Sequence, residues 1–219
     1  MCFSANASFS AAAVLFVAGA VTVRRAEHRA ELPFALIPIL FAVQQLIEGV
    51  IWLTLPVGPA PLTNVLTHSY SFFSHVFWPV YVPLAVLFLE PVRRRRRALF
   101  GIALTGGALG LYLLYVLVRL PVVAEVRDGH IAYLSPHFYA LEVMALYVLS
   151  TCVSLMVSSH SAVRLFGAAA FLSFMAASYF YTIWLISVWC FFAALLSGIV
   201  LLHFRGHSGR LPNGVVESP

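Results

Sequence analysis

The sequence contains no lysine: the 13 basic residues among its 219 positions are all arginine. A covalently bound retinal needs a lysine amine, so no retinal Schiff base can form and rhodopsin-type chemistry is excluded. Charge of either sign is scarce. Charged residues make up 10% of the chain, against about a quarter in soluble domains, while 62% of residues are apolar and the mean hydropathy is +0.94. A soluble globular domain is therefore excluded, and the composition is that of a polytopic membrane protein. The three cysteines, Cys2, Cys152 and Cys190, are scattered and form neither a disulfide framework nor a CxxC metal motif. Cys152 and Cys190 lie within apolar runs and read as small buried side chains.

A run of about 20 apolar residues spans a bilayer core of roughly 30 Å. Seven such runs are present, at 6–23, 33–56, 66–89, 98–120, 137–158, 164–181 and 183–203. The expected fold is an all-α bundle of seven transmembrane helices occupying 1–205, with a polar, Gly/Pro-rich tail at 206–219 that is expected to be disordered. The first run follows the uncharged segment "MCFSANASFS", which lacks the basic region of a cleavable signal, so it is expected to remain as a helix. Arginine placement gives an orientation. Arg24, Arg25, Arg29, the run Arg93 to Arg97, Arg164, Arg205 and Arg210 fall on one side, leaving Arg119 and Arg127 for the other. The positive-inside rule makes the richer side cytoplasmic, with the N-terminus out and the C-terminus in, and the expected location is a bacterial cytoplasmic (inner) membrane. The Arg93–Arg97 run is expected to anchor topology and to meet the anionic headgroups of membrane lipids; no nucleic-acid partner is expected.

The polar residues inside the runs carry the functional signal, because an ionisable side chain within a membrane helix costs at least about 2.5 kcal/mol. Two acids are so placed, Glu48 in "QQLIEGVIW" and Glu142. At 1.5 Å per residue, Glu48, His75 and Glu142 lie about 12, 13 and 9 Å from the outer ends of their runs, which is one level in the outer half. At 100° per residue, Gln44, Gln45, Glu48 and Trp52 share one face of the second run. His68, Ser71 and His75 share one face of the third, and Tyr139 is one turn from Glu142. This predicts a polar cavity opening to the extracytoplasmic side. Carboxylate and imidazole together are ordinary zinc ligands, so zinc or another transition metal held by His75, Glu48 and Glu142 is one expectation. Hydrogen-bonded contact between helices is the other. His68 and His75 are separated by about 10.5 Å along the axis, so one ion does not take both; His68, His137 and Cys2 would form a second tier at the rim. If Met1 is removed, Cys2 presents an α-amine beside a thiol, a pair able to act as nucleophile and base or to chelate a soft metal.

The opening "MCFSANASF", followed by "QQLIEG" and a nearby tryptophan, resembles a family of uncharacterised bacterial seven-helix membrane proteins whose members begin MCFSA-x-ASF. That resemblance covers nearly the whole chain and implies no activity. Ser71-x3-His75 is also similar to the S-x3-H of alkaline ceramidases and progestin/adiponectin receptors, seven-helix zinc hydrolases. Their final helix carries H-x3-H, whereas "IWLISVWCFFAALLSGIVLL" has no histidine.

The functional expectation is a membrane-embedded, metal-dependent hydrolase of a lipid or amphiphile. In it His75 and Glu48 hold the metal, Glu142 is the general base, and Ser71 or Gln44 and Gln45 stabilise the oxyanion. The competing class is a non-enzymatic receptor or sensor, a small-solute transporter, or an accessory subunit of a membrane complex. The apolar inner halves argue against a path through the membrane.

Overall fold

The computed structural model describes residues 4–56, 60–134, 138 and 140–205. The expectations for Cys2, His137, Tyr139 and the tail fall outside the described residues. The described residues form seven helices: α1 (Ala5–Arg25), α2 (Arg29–Thr54), α3 (Pro61–Leu89), α4 (Arg93–Arg119), α5 (Leu141–Val157), α6 (Ser161–Phe180) and α7 (Thr182–Arg205). Six are long and apolar enough to cross a membrane; α5, with 17 residues, is shorter. Its start explains the difference, since the helix begins at Leu141 rather than at 137.

Helix pairs close on small residues, as expected where hydrocarbon solvent gives no hydrophobic drive between helices. On α4, Gly106 and Gly110 let the helix lie against the backbone of α3. A Cβ at Gly106 would sit 2.0 Å from the Pro79 carbonyl oxygen, and one at Gly110 would sit 2.5 Å from Val80 Cγ2. The opposite face of α4 carries Phe100, Leu104, Leu111, Tyr115 and Val118, all exposed. Helices α1 and α2 pack in the same way, with Gly19 against Ile39 and Gly49 against the Phe9 ring.

Two helices contain wider π turns, Phe72–Phe77 in α3 and Leu149–Val153 in α5. The first has a traceable cause and effect. The Trp78 N–H bonds back to the Phe73 carbonyl rather than to Ser74, and the next residue, Pro79, has no N–H to give. The Ser74 carbonyl is thereby left without a backbone donor, and the Tyr147 hydroxyl of α5 donates to it instead.

Between α4 and α5 the chain forms an antiparallel hairpin, β1 (Val123–Arg127) and β2 (His130–Leu134), in register from Val123↔Leu134 to Arg127↔His130. An otherwise helical fold thus carries one element that hydropathy does not signal. Asp128 and Gly129 both have positive φ, 47° and 75°, the requirement of a type I′ turn, which Asp-Gly meets. Ile131, Ala132 and Tyr133 of β2 are buried against the bundle. Tyr133 stacks on Tyr70 of α3 at 4.4 Å between ring centroids, and His130 lies against the rings of Tyr181 and Trp184.

At the opposite end the loops are clasped by charge-assisted hydrogen bonds. Glu90 accepts from the N–H of Ser159 at 2.7 Å and of Val92 at 3.1 Å. Arg95 donates to the carbonyls of Val157 and Ser158, and Arg164 to those of Ser158 and Ser159. Burial alone would raise the Glu90 pKa. The backbone donors and the hydroxyls of Ser158 and Ser159 outweigh it and hold the carboxyl below its ordinary value.

Two outcomes follow from these contacts. Gly106→Ala drives a Cβ into the Pro79 carbonyl and lowers stability by about 1–3 kcal/mol or more, whereas Gly101→Ala, with nothing within 4 Å, raises it by up to about 1 kcal/mol; thermal unfolding in detergent compares them. Because the pKa of Glu90 is depressed on folding, its contribution is complete above the unfolded carboxyl value of about 4.3 and is lost as pH falls through the folded value. Glu90→Gln is therefore expected to lower the melting temperature at pH 7, and the gap from wild type is expected to close in acid.

Candidate functional site

The polar residues of α2 are held inward by its own periodicity. Gln44, Gln45 and Glu48 are each 0% exposed, and Trp52, one turn on, is half-buried. Their partners come from two other helices. Trp78 Nε1 of α3 donates to Gln44 Oε1 at 2.7 Å, and Ser187 Oγ of α7 donates to Glu48 Oε1 at 2.7 Å. Cys190, one turn beyond Ser187, lies beside Gln44, Tyr70 and Glu48. A buried carboxyl between three helices is thus tied to α7 by a hydroxyl rather than by a charge.

On α3 the π turn sets the second half of the cluster. Ser71, Ser74 and His75 are all buried. His75 Nδ1 lies 3.1 Å from the Ser71 carbonyl and 2.8 Å from Ser74 Oγ. A carbonyl can only accept, so the Ser71 contact is a hydrogen bond in the neutral tautomer with the proton on Nδ1, in which Nε2 presents its lone pair; the Ser74 hydroxyl can pair with Nδ1 in either tautomer. The ring packs against Phe138 at 4.3 Å, and Phe138 in turn meets Tyr147 edge-on. Among the described residues, His75 Nε2, Ser71 Oγ, both amide atoms of Gln45 and Trp52 Nε1 are buried without a hydrogen-bond partner.

Next to this cluster is a cavity of about 40 Å³ lined by Phe41, Trp78, Tyr147, Cys152, Trp189 and Cys190, among others. The cavity has room for water-sized groups. Two ring contacts adjoin the cluster, Tyr133 on Tyr70 and Phe138 on His75.

The outer members of the expected site lie elsewhere. Glu142 is exposed in the first turn of α5, because that helix starts one residue before it. His68 is exposed, its Nδ1 bonded to the Asn64 carbonyl at 2.8 Å. The π turn between His68 and His75 takes them off the shared face that a straight helix would give. Among the described residues no three His, Cys, Asp or Glu side chains gather into a metal-holding group, so His75, Glu48 and Glu142 do not form one. A catalytic zinc takes three protein ligands, and Cys2 and His137, the other expected donors, lie outside the described residues.

Sequence reasoning missed Tyr70, Ser187 and Cys190. A signal was available for the α7 pair: Ser187, Cys190, Ala194 and Ser197 recur at helical spacing as a small-residue stripe, and all four are buried.

A protein family described as a family of unknown function (DUF6629) matches residues 1–214. The chain belongs to that family. No curated protein and no solved structure matches it. The likeness to ceramidase-type hydrolases therefore rests on the Ser71–His75 spacing alone.

The Tyr147 hydroxyl is the sole donor described for the Ser74 carbonyl. Tyr147→Phe is expected to lower unfolding stability by about 1–3 kcal/mol, the cost of an unsatisfied buried acceptor. Chemical or thermal unfolding in detergent, compared with Tyr179→Phe at an exposed position, measures it.

Proposed function

We propose that this family member is a membrane-embedded receptor or sensor that binds one small hydrogen-bonding ligand inside its helical bundle, between α2, α3 and α7 and beneath the hairpin. The observation that carries this reading is the set of buried groups on facing helices, Gln45, Ser71 and His75 Nε2, that lack partners among the described residues. Each such group costs about 1–3 kcal/mol unless something pairs with it. A ligand offering a donor to His75 Nε2 and both a donor and an acceptor to the Gln45 amide meets these requirements. Ser71 Oγ adds either role. In this reading the arginine-rich end faces the cytoplasm of a bacterial inner membrane with the N-terminus outside, and the exposed Arg93–Arg97 region meets anionic headgroups.

The second reading is the metal-dependent hydrolase, favoured by the lone pair on His75 Nε2. It requires ligands beyond His75 and Glu48 from outside the described residues, such as Cys2 or His137.

Gln45→Met separates ligand binding from helix-to-helix contact. If Gln45 serves a ligand, this near-isosteric change leaves folding stability within about 1 kcal/mol of wild type. It also removes the small molecule that organic extraction and mass spectrometry recover from purified wild-type protein. A large loss of stability, with no small molecule in wild type, refutes the receptor reading. Near-stoichiometric zinc, copper or iron in wild type that disappears in both Glu48→Gln and His75→Ala moves the hydrolase to the front.

A further inference from the structure

The run Arg93–Arg97 is one feature in sequence and two in space. The Arg95 guanidinium is spent on the carbonyls of Val157 and Ser158. Arg93, Arg96 and Arg97 line a surface groove of about 690 Å³ together with Leu87 from the end of α3 and Phe100 from α4. All three arginines are exposed. Glu90, the nearest acid in sequence, is buried and occupied by the N–H groups of Ser159 and Val92. The ion pair found among the described residues, Arg127–Glu125, is in the hairpin.

Two further facts bear on what this groove accepts. Cations at a helix N-terminus oppose the macrodipole, and α4 starts with five of them and no acid in its first turn. An anion seated there satisfies the guanidinium groups and the helix end together. The apolar side of the groove also continues along the helix. Phe100 leads at helical spacing into Leu104 and Leu111, the exposed stripe opposite the face that packs on α3. Phosphate-binding groups at one end and a membrane-facing apolar track at the other describe a phospholipid.

We propose that Arg93, Arg96 and Arg97 form a stoichiometric site for one anionic phospholipid, its phosphate among the guanidinium groups and an acyl chain along Phe100 and Leu104. Three cations exceed the charge of one phosphodiester. The site therefore prefers headgroups bearing two negative charges, a phosphomonoester or a paired phosphodiester, over singly charged ones, and those over zwitterionic ones. This rests on the membrane reading and is independent of a ligand in the polar cluster.

The test is lipid titration of the full chain by native mass spectrometry, with phosphatidic acid, cardiolipin, phosphatidylglycerol and phosphatidylcholine as probes. Recovery of the protein in zwitterionic vesicles checks the membrane reading separately. One arginine near an anionic surface contributes about fivefold in affinity. Arg96→Gln with Arg97→Gln is expected to lower phosphatidic acid and cardiolipin affinity by about 25-fold. Arg94→Gln, which removes one charge from the same turn but outside the groove, leaves affinity unchanged. A loss of about fivefold in Arg94→Gln, the same per charge as in the groove variant, shows a diffuse surface charge and overturns the site. Full competition by millimolar inorganic phosphate makes it a free-anion site and overturns the lipid. Equal affinity for phosphatidylglycerol and cardiolipin overturns the charge preference. Melting temperatures of the variants separate lost binding from lost fold.

Discussion

Within hydrocarbon, a backbone carbonyl that loses its helical donor must find another inside the protein, and the bond from the Tyr147 hydroxyl to the Ser74 carbonyl meets that requirement at the centre of the bundle. The need arises in the primary structure, where Pro79 follows Trp78 and a π turn shifts the bonding by one residue. Its consequences spread outward. The π turn carries His75, places its Nδ1 against Ser71 and Ser74, and ties α5 to α3 at a point where α4 also approaches through Gly106. The position of the short fifth helix is thus tied to a proline four positions from His75 on another element.

The polar cluster uses neutral donors where a salt bridge might have been expected. Glu48 meets Ser187, and Gln44 meets Trp78. Buried ion pairs often fail to recover their desolvation cost, and the chain contains no lysine to offer. Charge is instead kept at the ends of the bundle, in the Glu90–Ser159 and Arg95–Ser158 clasp. The interior is left as hydrogen-bonding chemistry enclosed by aromatic rings, which suits recognition of a small polar molecule.

Hydropathy made the long helices legible, and helical phase correctly turned Gln44, Gln45, Glu48, Ser71 and His75 inward. Two assumptions failed for physical reasons. The depth assigned to Glu142 took the helix to begin near Pro136, but it begins at Leu141, leaving Glu142 in an exposed first turn. The phase linking His68 to His75 assumed 3.6 residues per turn through a segment that is wider. The hairpin was written in the sequence as Asp-Gly between "VAEVR" and "HIAYL", yet a reading tuned to apolar runs of about 20 residues passes over strands of five. Burial of Cys190 was legible from its apolar run, but the place of Ser187 and Cys190 beside Glu48 and Gln44 was not, because it depends on which helix they face.

The hairpin also bears on how the molecule is assembled. Its strands leave the ribosome before α6 and α7, yet His130, the first residue of β2, lies against the rings of Tyr181 and Trp184, where α6 gives way to α7. Strand β2 therefore has no complete seat until the last helix is in place.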